Sequence, residues 1–273
     1  MRTICIINQK GGVGKTTTAV NIASGLSRKD KKVLLVDMDP QGNIADSLTS
    51  NKDYSVLDFL MGKCSFNDCT TRLGKNLDLI HSTESLTKFS ALVSSQQDNT
   101  LLVTHKFRTI TQYDYIIFDC SPSLGLLNQN VMRFCKECLI PVRAEYLSKT
   151  GLGYMVQAVD EINKQFSHSL AVRYIVPTQF DKRVKSQVEL LQSFEREFPE
   201  LLTNPIRINS KLAQAPAAGK SIFSFDPTSR GAKDYGLLVE KIVQDEPQAR
   251  TFVSQEPISA RIQRLMADVE IED

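Results

Sequence analysis

The residues best suited to chemistry stand together near the start of the chain, where three glycines lie between two lysines and threonines follow. Successive glycines let backbone N–H groups wrap around a phosphate without interference from Cβ atoms. Lys15 can reach the outer phosphates of a nucleotide, and the Thr16 hydroxyl can hold Mg²⁺. The segment therefore predicts a phosphate-binding loop made of Lys10, Gly11, Gly12, Val13, Gly14, Lys15, Thr16 and Thr17.

This loop departs from the standard phosphate-binding pattern at its first position. The pattern has a glycine five residues before Gly14, where this chain has Gln9. The chain also has a second lysine, Lys10, directly before the glycines. Two ammonium groups packed into one loop repel each other. We therefore expect Lys10 to point outward, toward a nucleotide held by a second subunit.

Three aspartates stand at or just beyond the ends of apolar runs: Asp37, Asp39 and Asp119. Phosphoryl transfer requires charge neutralisation, a metal ion and an aligned water molecule. We expect Thr16 to ligate Mg²⁺ directly and the three aspartates to complete the metal site, Asp119 acting through water. Taken one at a time, each aspartate could equally be an ordinary carboxylate at a strand end or turn.

Short apolar runs alternate with helical patterns, which predicts an α/β fold with a doubly wound, mostly parallel sheet flanked by helices. The predicted strands are 3–8, 33–37, 77–80, 115–119, 138–142 and 171–176. The predicted helices are 15–28, 44–50, 84–95, 101–111, 149–166, 184–198 and 233–244. Such sheets bind ligands at the carboxyl ends of their strands, which is where the glycine loop and the aspartates would then lie.

Five stretches resemble, in order along the chain, the ParA/MinD ATPases: residues 10–17, 33–43, 113–125, 139–142 and 215–235. The first is similar to the deviant Walker A box of that family, the second to its switch I, and the third to its Walker B strand and switch II. The last favours the DNA-segregating ParA members. The resemblance covers roughly residues 1–245 and implies a P-loop NTPase fold of the deviant Walker A type.

The resemblance also implies a function, the partitioning of plasmid or chromosomal DNA by an ATPase. ATP is expected to join two subunits into a homodimer that binds DNA without sequence preference. A ParB-like centromere-binding or adaptor protein is expected to stimulate the hydrolysis of ATP to ADP and phosphate. The expected location is the cytoplasm, in association with the nucleoid.

Roles for single residues follow from the same resemblance. Lys10, Lys15 and Asp39 are the expected catalytic residues: Lys10 acts on the nucleotide of the other subunit, and Asp39 orients the attacking water. Gln179 and Asn209 fall where the family holds adenine. The family usually has Ile-Pro-Arg-Asn at the second of these places, whereas residues 206–209 here are Ile-Arg-Ile-Asn.

Local basic charge supports DNA binding, although the net charge of the chain is only +2. Residues 182–233 contain nine lysines and arginines and five acidic residues. Arg183 and Lys211 fall where the resemblance places non-specific DNA contacts. Binding of this kind needs only the neutralisation of phosphates. A solvated, charged helix face is the alternative interpretation of the same residues.

Two other classes of protein share this kind of phosphate loop. In MinD-like positioning ATPases a C-terminal amphipathic helix binds the membrane, and residues 246–273 form a tail with one apolar helical face at Ile258, Ile262, Leu265, Met266 and Val269. The helical stretch itself, residues 257–273, has only two basic residues, Arg261 and Arg264, and no aromatic residue, so we expect it to pack against protein and not against a membrane. Iron–sulfur carriers use cysteine pairs, and Cys135 and Cys138 form a C-x-x-C. Cys138 begins an apolar strand, which favours a place in the core.

Length and composition are consistent with one ATPase domain at 1–245 followed by the tail at 246–273. The 273 residues are 41% hydrophobic and 23% charged, as in ordinary soluble globular proteins. No stretch approaches the ~20 apolar residues of a membrane-spanning helix, and we expect no secretory leader, since the first predicted strand begins at residue 3. We expect a reducing compartment and free thiols.

Overall fold

The computed structural model describes residues 1–44, 53–144, 149–246, 258–259 and 261. The strands are β1 (Arg2–Ile6), β2 (Val33–Met38), β3 (Thr70–Gly74), β4 (Leu77–Ile80), β5 (Tyr115–Cys120), β6 (Glu137–Arg143) and β7 (Ala171–Thr178). The helices are α1 (Lys15–Arg28), α2 (Val56–Leu60), α3 (Phe66–Cys69), α4 (Phe89–Val93), α5 (Leu102–Phe107), α6 (Leu126–Phe134), α7 (Lys149–Phe166), α8 (Lys185–Glu197), α9 (Ser210–Gln214), α10 (Ile222–Phe225) and α11 (Arg230–Gln244). Short 3₁₀ turns cover Glu84–Lys88 and Pro216–Ala218.

The seven strands form one sheet in the order β3-β4-β2-β5-β1-β6-β7. All neighbouring strands are parallel except β3, which pairs antiparallel with β4 at the edge. The central strands β2 and β5 are buried along their whole length because helices cover both faces of the sheet. In β1, Ile4 lies beside Ile117 of β5 and Ile6 lies beside Leu139 of β6. The predicted doubly wound, mostly parallel α/β fold is confirmed.

Two apolar clusters fill the spaces between the sheet and its helices. On one face Phe107 meets Phe118 edge to face, with ring centroids 5.3 Å apart, and Phe59 also meets Phe107 edge to face, at 5.4 Å. On the other face α1 packs against α11, through residues such as Leu26 and Leu238. The sheet is therefore enclosed on both sides, and the loops at its carboxyl edge remain accessible.

All six predicted strands are present, with ends displaced by up to two residues. The antiparallel strand β3 was not predicted because its residues are partly exposed and give no apolar run. Helix α6 was also not predicted, although only residues 121–125 separate it from β5. The helix predicted at 44–50 lies almost wholly outside the described residues. The predicted helix at 84–95 is a 3₁₀ turn continued by α4.

At the amino edge of the sheet, a partly buried polar network joins residues near both ends of the predicted domain. Arg2 donates from Nε to Oε1 of Glu137 at 2.8 Å and from Nη2 to the Tyr174 hydroxyl at 3.0 Å. Glu246 accepts hydrogen bonds from Lys31, at 2.9 Å, and from the Tyr115 hydroxyl. The first residue of the predicted tail is therefore tied to the domain.

Two later tail residues also contact the domain. Ile258 packs against the core, and the Arg261 guanidinium lies over the Phe198 ring at 4.7 Å while it pairs with Glu197 and Glu200. The expectation that the tail packs against protein agrees with these contacts. Most of the proposed apolar helical face lies outside the described residues, and the domain boundary at 245 stays a prediction.

Helix α1 approaches α11 so closely that a side chain at Gly25 has no space. A Cβ atom there would lie 2.5 Å from Cγ2 of Val239 and 3.0 Å from the Phe223 ring. We predict that Gly25→Ala lowers the free energy of unfolding by about 1–3 kcal/mol through overpacking. Thermal and urea unfolding measure the change.

Gly236, in the interior of α11, provides the matched control, because no atom lies within 4 Å of a Cβ placed there. Gly236→Ala should raise the free energy of unfolding by about 0.5–1 kcal/mol through helix propensity. If Gly25→Ala is as stable as Gly236→Ala, the close packing of α1 on α11 is wrong.

Candidate functional site

The glycine loop runs from the end of β1 to the start of α1. Gly12 and Gly14 have φ of +70° and +88°, in the left-handed region that favours glycine. Gly14 is the N-cap of α1 and supplies no side-chain cap, so the first N–H groups of this helix are available to a ligand. A long helix that begins at a glycine-rich loop is suited to binding phosphate groups.

Two side chains, Asn8 and Thr178, hold this loop in shape. Asn8 donates to the Pro141 carbonyl in β6 at 2.8 Å and accepts from the Lys10 N–H at 2.9 Å. From the end of β7, Thr178 donates to the carbonyl of Val13 at 2.8 Å. The loop is thus braced against both strands that follow β1 in the sheet. Sequence reasoning missed Asn8 and Thr178, because neither belongs to a phosphate-binding motif.

Lys10 and Lys15 occupy different environments, as the charge argument required. Lys10 is exposed. Lys15 is buried, and its ammonium donates to the Lys10 carbonyl at 3.2 Å. Burial lowers the pKa of Lys15, and the charges of Asp119 and Asp39 oppose this effect. Lys15 therefore shares its surroundings with two of the three predicted carboxylates.

Asp119 is the clearest candidate for a metal-binding carboxylate. It is 1% exposed, and neither of its oxygens has a hydrogen-bond partner among the described residues. Burial raises its pKa to about 7, and the charge of Asp39 adds to the rise. The Thr16 hydroxyl and Lys15 counteract it, although Thr16 falls short of standard hydrogen-bond geometry to either oxygen. A buried, unpaired carboxylate beside a threonine hydroxyl fits an oxygen-preferring divalent cation.

Asp37 lies beside Asp119 in the sheet, but its carboxylate oxygens accept hydrogen bonds from backbone N–H groups. Its Oδ1 accepts from the Asp39 N–H at 2.9 Å, and its Oδ2 accepts from the Ile44 N–H at 3.4 Å. Burial and the charge of Asp119 hold the pKa of Asp37 well above its usual range. The contacts support a role in shaping the loop after β2, while ligation of magnesium by Asp37 stays a prediction.

Asp39 begins that loop and is half-buried. Its Oδ1 accepts from the Gln41 N–H at 3.0 Å, and its carbonyl accepts from the Gly42 N–H at 3.0 Å. Gly42 has φ of +64°, and a Cβ there would approach the Ser82 carbonyl at 3.1 Å. A tight turn thus presents the Asp39 carboxylate at the same edge as Lys15 and Asp119.

A cavity of about 310 Å³ opens beside the glycine loop. Its lining includes Gly14 and Thr17 together with both predicted adenine-binding residues, Gln179 and Asn209. Gln179, with φ of +53°, donates from its amide to the Gly12 carbonyl at 2.8 Å. Asn209 caps α9 by accepting from the Lys211 N–H at 2.8 Å. The volume is near the lower end of that of small-molecule sites.

The two predicted DNA-binding residues are both exposed, on neighbouring segments joined by a β-bridge between Phe180 and Arg207. Arg183 pairs with Asp181 at 2.6 Å and lowers the pKa of that carboxyl to about 2. The Lys211 ammonium lies 5.9 Å from the centre of the Phe225 ring. The sequence analysis did not predict that Asp181, two residues earlier, partly neutralises the charge of Arg183.

The other predicted classes of site can be compared with the same structure. Cys135 and Cys138 are buried and free, as are Cys5 and Cys120. Within the described part of the chain, no group of three or more His, Cys, Asp or Glu side chains is arranged to hold a metal ion. None of the described helices is long and apolar enough to cross a membrane.

Asn128 is a further residue that no sequence pattern indicated. It is 1% exposed in the first turn of α6, and its amide donates to the carbonyls of Ser121, at 2.9 Å, and Ser123. These carbonyls belong to the loop that follows Asp119. One buried side chain thus fixes the shape of the predicted switch II loop.

Comparisons with known proteins agree with this geometry. Residues 1–172 match a protein-family profile described as an AAA domain, AAA_31. The chain is 34% identical over 250 residues to the chromosome-partitioning ATPase Soj of Treponema pallidum, covering 90% of this chain and 99% of that protein. It is 32% identical over 256 residues to the chromosome partitioning protein ParA of Myxococcus xanthus, covering 91% and 90% respectively. The chain belongs to the ParA/Soj family of partitioning ATPases.

Membership of the ParA/Soj family makes the protein an ATPase. The fold is shared with cobyrinic acid a,c-diamide synthase from Mycobacterium smegmatis, solved with a bound ATP analog and magnesium. That similarity has a TM-score of 0.79 and 25% identity, and it covers 94% of this chain and all of the other. The glycine loop and the carboxylates described above therefore lie in the fold of a nucleotide-binding protein.

The bonds of Asn128 predict a selective effect on hydrolysis. Asn128→Asp replaces a buried donor by an acceptor that faces two carbonyl oxygens, so the loop after Asp119 should lose its shape. We expect kcat for ATP to fall about tenfold, the effect of roughly 1.4 kcal/mol. Steady-state phosphate release measures it.

Asn130→Asp is the matched control, on the same helix and equally buried. Its amide bonds to the carbonyls of Asn99 and Leu126 instead of the switch loop. It should lose stability while kcat of the folded protein stays within about twofold. Equal falls in kcat for both variants would contradict a specific role for Asn128.

Proposed function

We propose that the protein is an ATPase for the partitioning of plasmid or chromosomal DNA, which dimerises with ATP and then binds DNA non-specifically. The observation that carries this proposal is the pairing of a buried Lys15 with an exposed Lys10 in one loop, in a chain similar to partitioning ATPases over about nine tenths of its length. A ParB-like centromere-binding or adaptor protein is the proposed stimulating partner. The proposed location is the cytoplasm, on the nucleoid.

ATP would bind with its phosphates in the glycine loop and its base in the adjoining cavity. Lys15 and the first N–H groups of α1 would neutralise the phosphates. Gln179 and Asn209 are the proposed base contacts, since both line the cavity. Mg²⁺ is the proposed cofactor, held by Thr16 and Asp119 with Asp37 and Asp39 nearby; it would neutralise charge on the phosphates.

Hydrolysis needs a water molecule aligned with the outer phosphate. We assign that task to Asp39, because its turn presents the carboxylate at the same edge as Lys15 and Asp119. Lys10 would complete the site by contacting the nucleotide of the other subunit. Each site is then incomplete in a monomer, which would couple ATP binding to dimerisation.

Dimerisation through Lys10 can be tested in a variant that retains ATP. Asp39→Ala should bind ATP, hydrolyse it slowly and accumulate as a dimer. Adding Lys10→Ala should return the protein to a monomer, because the charge offered to the other nucleotide is lost. Sedimentation velocity with ATP and with ADP measures the change.

The control for this prediction is Lys63→Ala in the same Asp39→Ala background. Lys63 is an exposed lysine in the turn that follows α2, and it lies outside the site. It should leave the dimer intact. A Lys10→Ala, Asp39→Ala protein that dimerises as well as Asp39→Ala alone would rule out the cross-subunit role.

DNA binding is assigned to the surface that carries Arg183 and Lys211. The Arg183 side chain is 84% exposed although it pairs with Asp181, so its guanidinium remains accessible to a phosphate. A dimer presents this surface twice. Each phosphate contact releases counterions, which gives a slope of about −0.9 in log K against log salt per contact on duplex DNA.

We predict that Arg183→Glu with Lys211→Glu weakens binding at least about tenfold to two unrelated duplexes alike, with a shallower salt slope. Basal ATP hydrolysis should stay near normal. Fluorescence polarisation at several salt concentrations, with ATP and with ADP, measures both effects.

Lys63→Glu with Lys75→Glu changes the net charge equally at exposed lysines elsewhere and serves as the control. It should bind DNA almost normally. Preference for one duplex, or equal loss in both double variants, would contradict the assigned surface. Liposome binding without DNA binding would favour a MinD-like positioning ATPase instead.

A further inference from the structure

The wall of the nucleotide-base cavity is closed by an ion pair outside the phosphate loop. Arg207 lines the cavity, and its guanidinium binds Asp234 of α11 with Nη2 to Oδ1 at 2.5 Å and Nε to Oδ2 at 3.0 Å. The backbone N–H of Arg207 donates to the same carboxylate at 2.9 Å. Asp234 is only 3% exposed, so this carboxylate is committed to one residue of the cavity wall.

The other side of the same segment is fixed by backbone hydrogen bonds. The N–H of Ile206 donates to the Pro177 carbonyl at 2.7 Å, and the N–H of Ile208 donates to the Phe180 carbonyl at 3.1 Å. Ile206 and Ile208 therefore bond toward the end of β7 and the residues after it, whereas Arg207, between them, bonds to α11. Residues 206–208 are clamped between these two elements.

The neighbour of Asp234 extends the clamp to the phosphate loop. Tyr235 lines the cavity, and its hydroxyl shares a hydrogen bond of 3.0 Å with Thr18 of α1. The Thr18 N–H in turn donates to the carbonyl of Gly14. Successive residues of α11 thus tie the base cavity on one side to Arg207 and on the other to the helix that begins at the phosphates.

We infer that the Arg207–Asp234 pair is a positioning pair that sets the shape of the base cavity, and through it the affinity and base preference for the nucleotide. Because the cavity wall is already held in one conformation, it loses little conformational entropy when the base binds, and the affinity for the nucleotide is higher. The guanidinium donates its hydrogen bonds to Asp234. It therefore affects the base indirectly, by holding residues 206–208 of the cavity wall in place. This inference rests on the proposed function, which places the base in this cavity.

The test distinguishes the contribution of the base to binding affinity from that of the phosphates. ATP, GTP and inorganic tripolyphosphate are titrated into wild-type protein, Arg207→Met and Asp234→Asn, with dissociation constants from calorimetry. In both variants we expect ATP to bind about five- to tenfold more weakly. Tripolyphosphate should bind within about twofold of wild type, and the preference for ATP over GTP should decrease. At saturating ATP, kcat should be unchanged while KM rises.

Two further variants distinguish positioning from general stability. Lys241→Met removes another partly exposed ion pair from α11, with Asp245, and should leave all three affinities unchanged. Arg207→Lys keeps the charge but loses the fork that binds both carboxylate oxygens, and it should restore only part of the ATP affinity. Thermal unfolding verifies that each variant is folded.

Three results would overturn the inference: unchanged ATP affinity in Arg207→Met and Asp234→Asn, equal weakening of ATP and tripolyphosphate, or the same losses in Lys241→Met. Wild-type protein that binds ATP no more tightly than tripolyphosphate would show that the cavity does not hold the base. That result would remove both the base assignment and this inference, whereas a wild-type preference for ATP with unchanged variants would remove the inference alone.

Discussion

The rest of the structure depends on the burial of opposite charges at one edge of the sheet. Lys15, at the start of α1, and Asp119, near the end of β5, are both taken from water, which lowers the pKa of the lysine and raises that of the aspartate. Neither charge makes a close ion pair with the other among the described contacts, and the Lys15 ammonium binds a backbone carbonyl. Such an arrangement is costly by itself, and a phosphate with its cation would offset the cost.

Rigid surroundings make this arrangement possible. Asn8 and Thr178 hold the glycine loop from β6 and β7, Asp37 holds the loop that carries Asp39, and Asn128 holds the loop after Asp119. In each case a buried or half-buried polar side chain bonds to backbone groups of a loop. Backbone groups of buried loops must be paired somewhere, and here those bonds also fix the positions of the functional groups.

Particular residues show how far sequence alone could reach. The glycines and Lys15 predicted the loop because only glycine adopts its left-handed conformations without strain. Asn128 and Asp234 could not be found, since asparagine and aspartate within a helix carry no pattern that names their partners. Strand β3 was missed because an edge strand needs no apolar run.

The sequence by itself determined the glycine loop, the parallel sheet and the carboxylates at its edge, because these depend on local residue types and on the period of apolar residues. Tertiary structure alone decided the contacts of each carboxylate. Among the described residues the Asp119 oxygens have no hydrogen-bond partner, Asp37 accepts from backbone N–H groups, and Asp234 holds Arg207 in the wall of the cavity beside the glycine loop. The physical reason is that burial and hydrogen-bond partners come from residues distant in the chain, and these decide the pKa of a carboxylate and what it can bind.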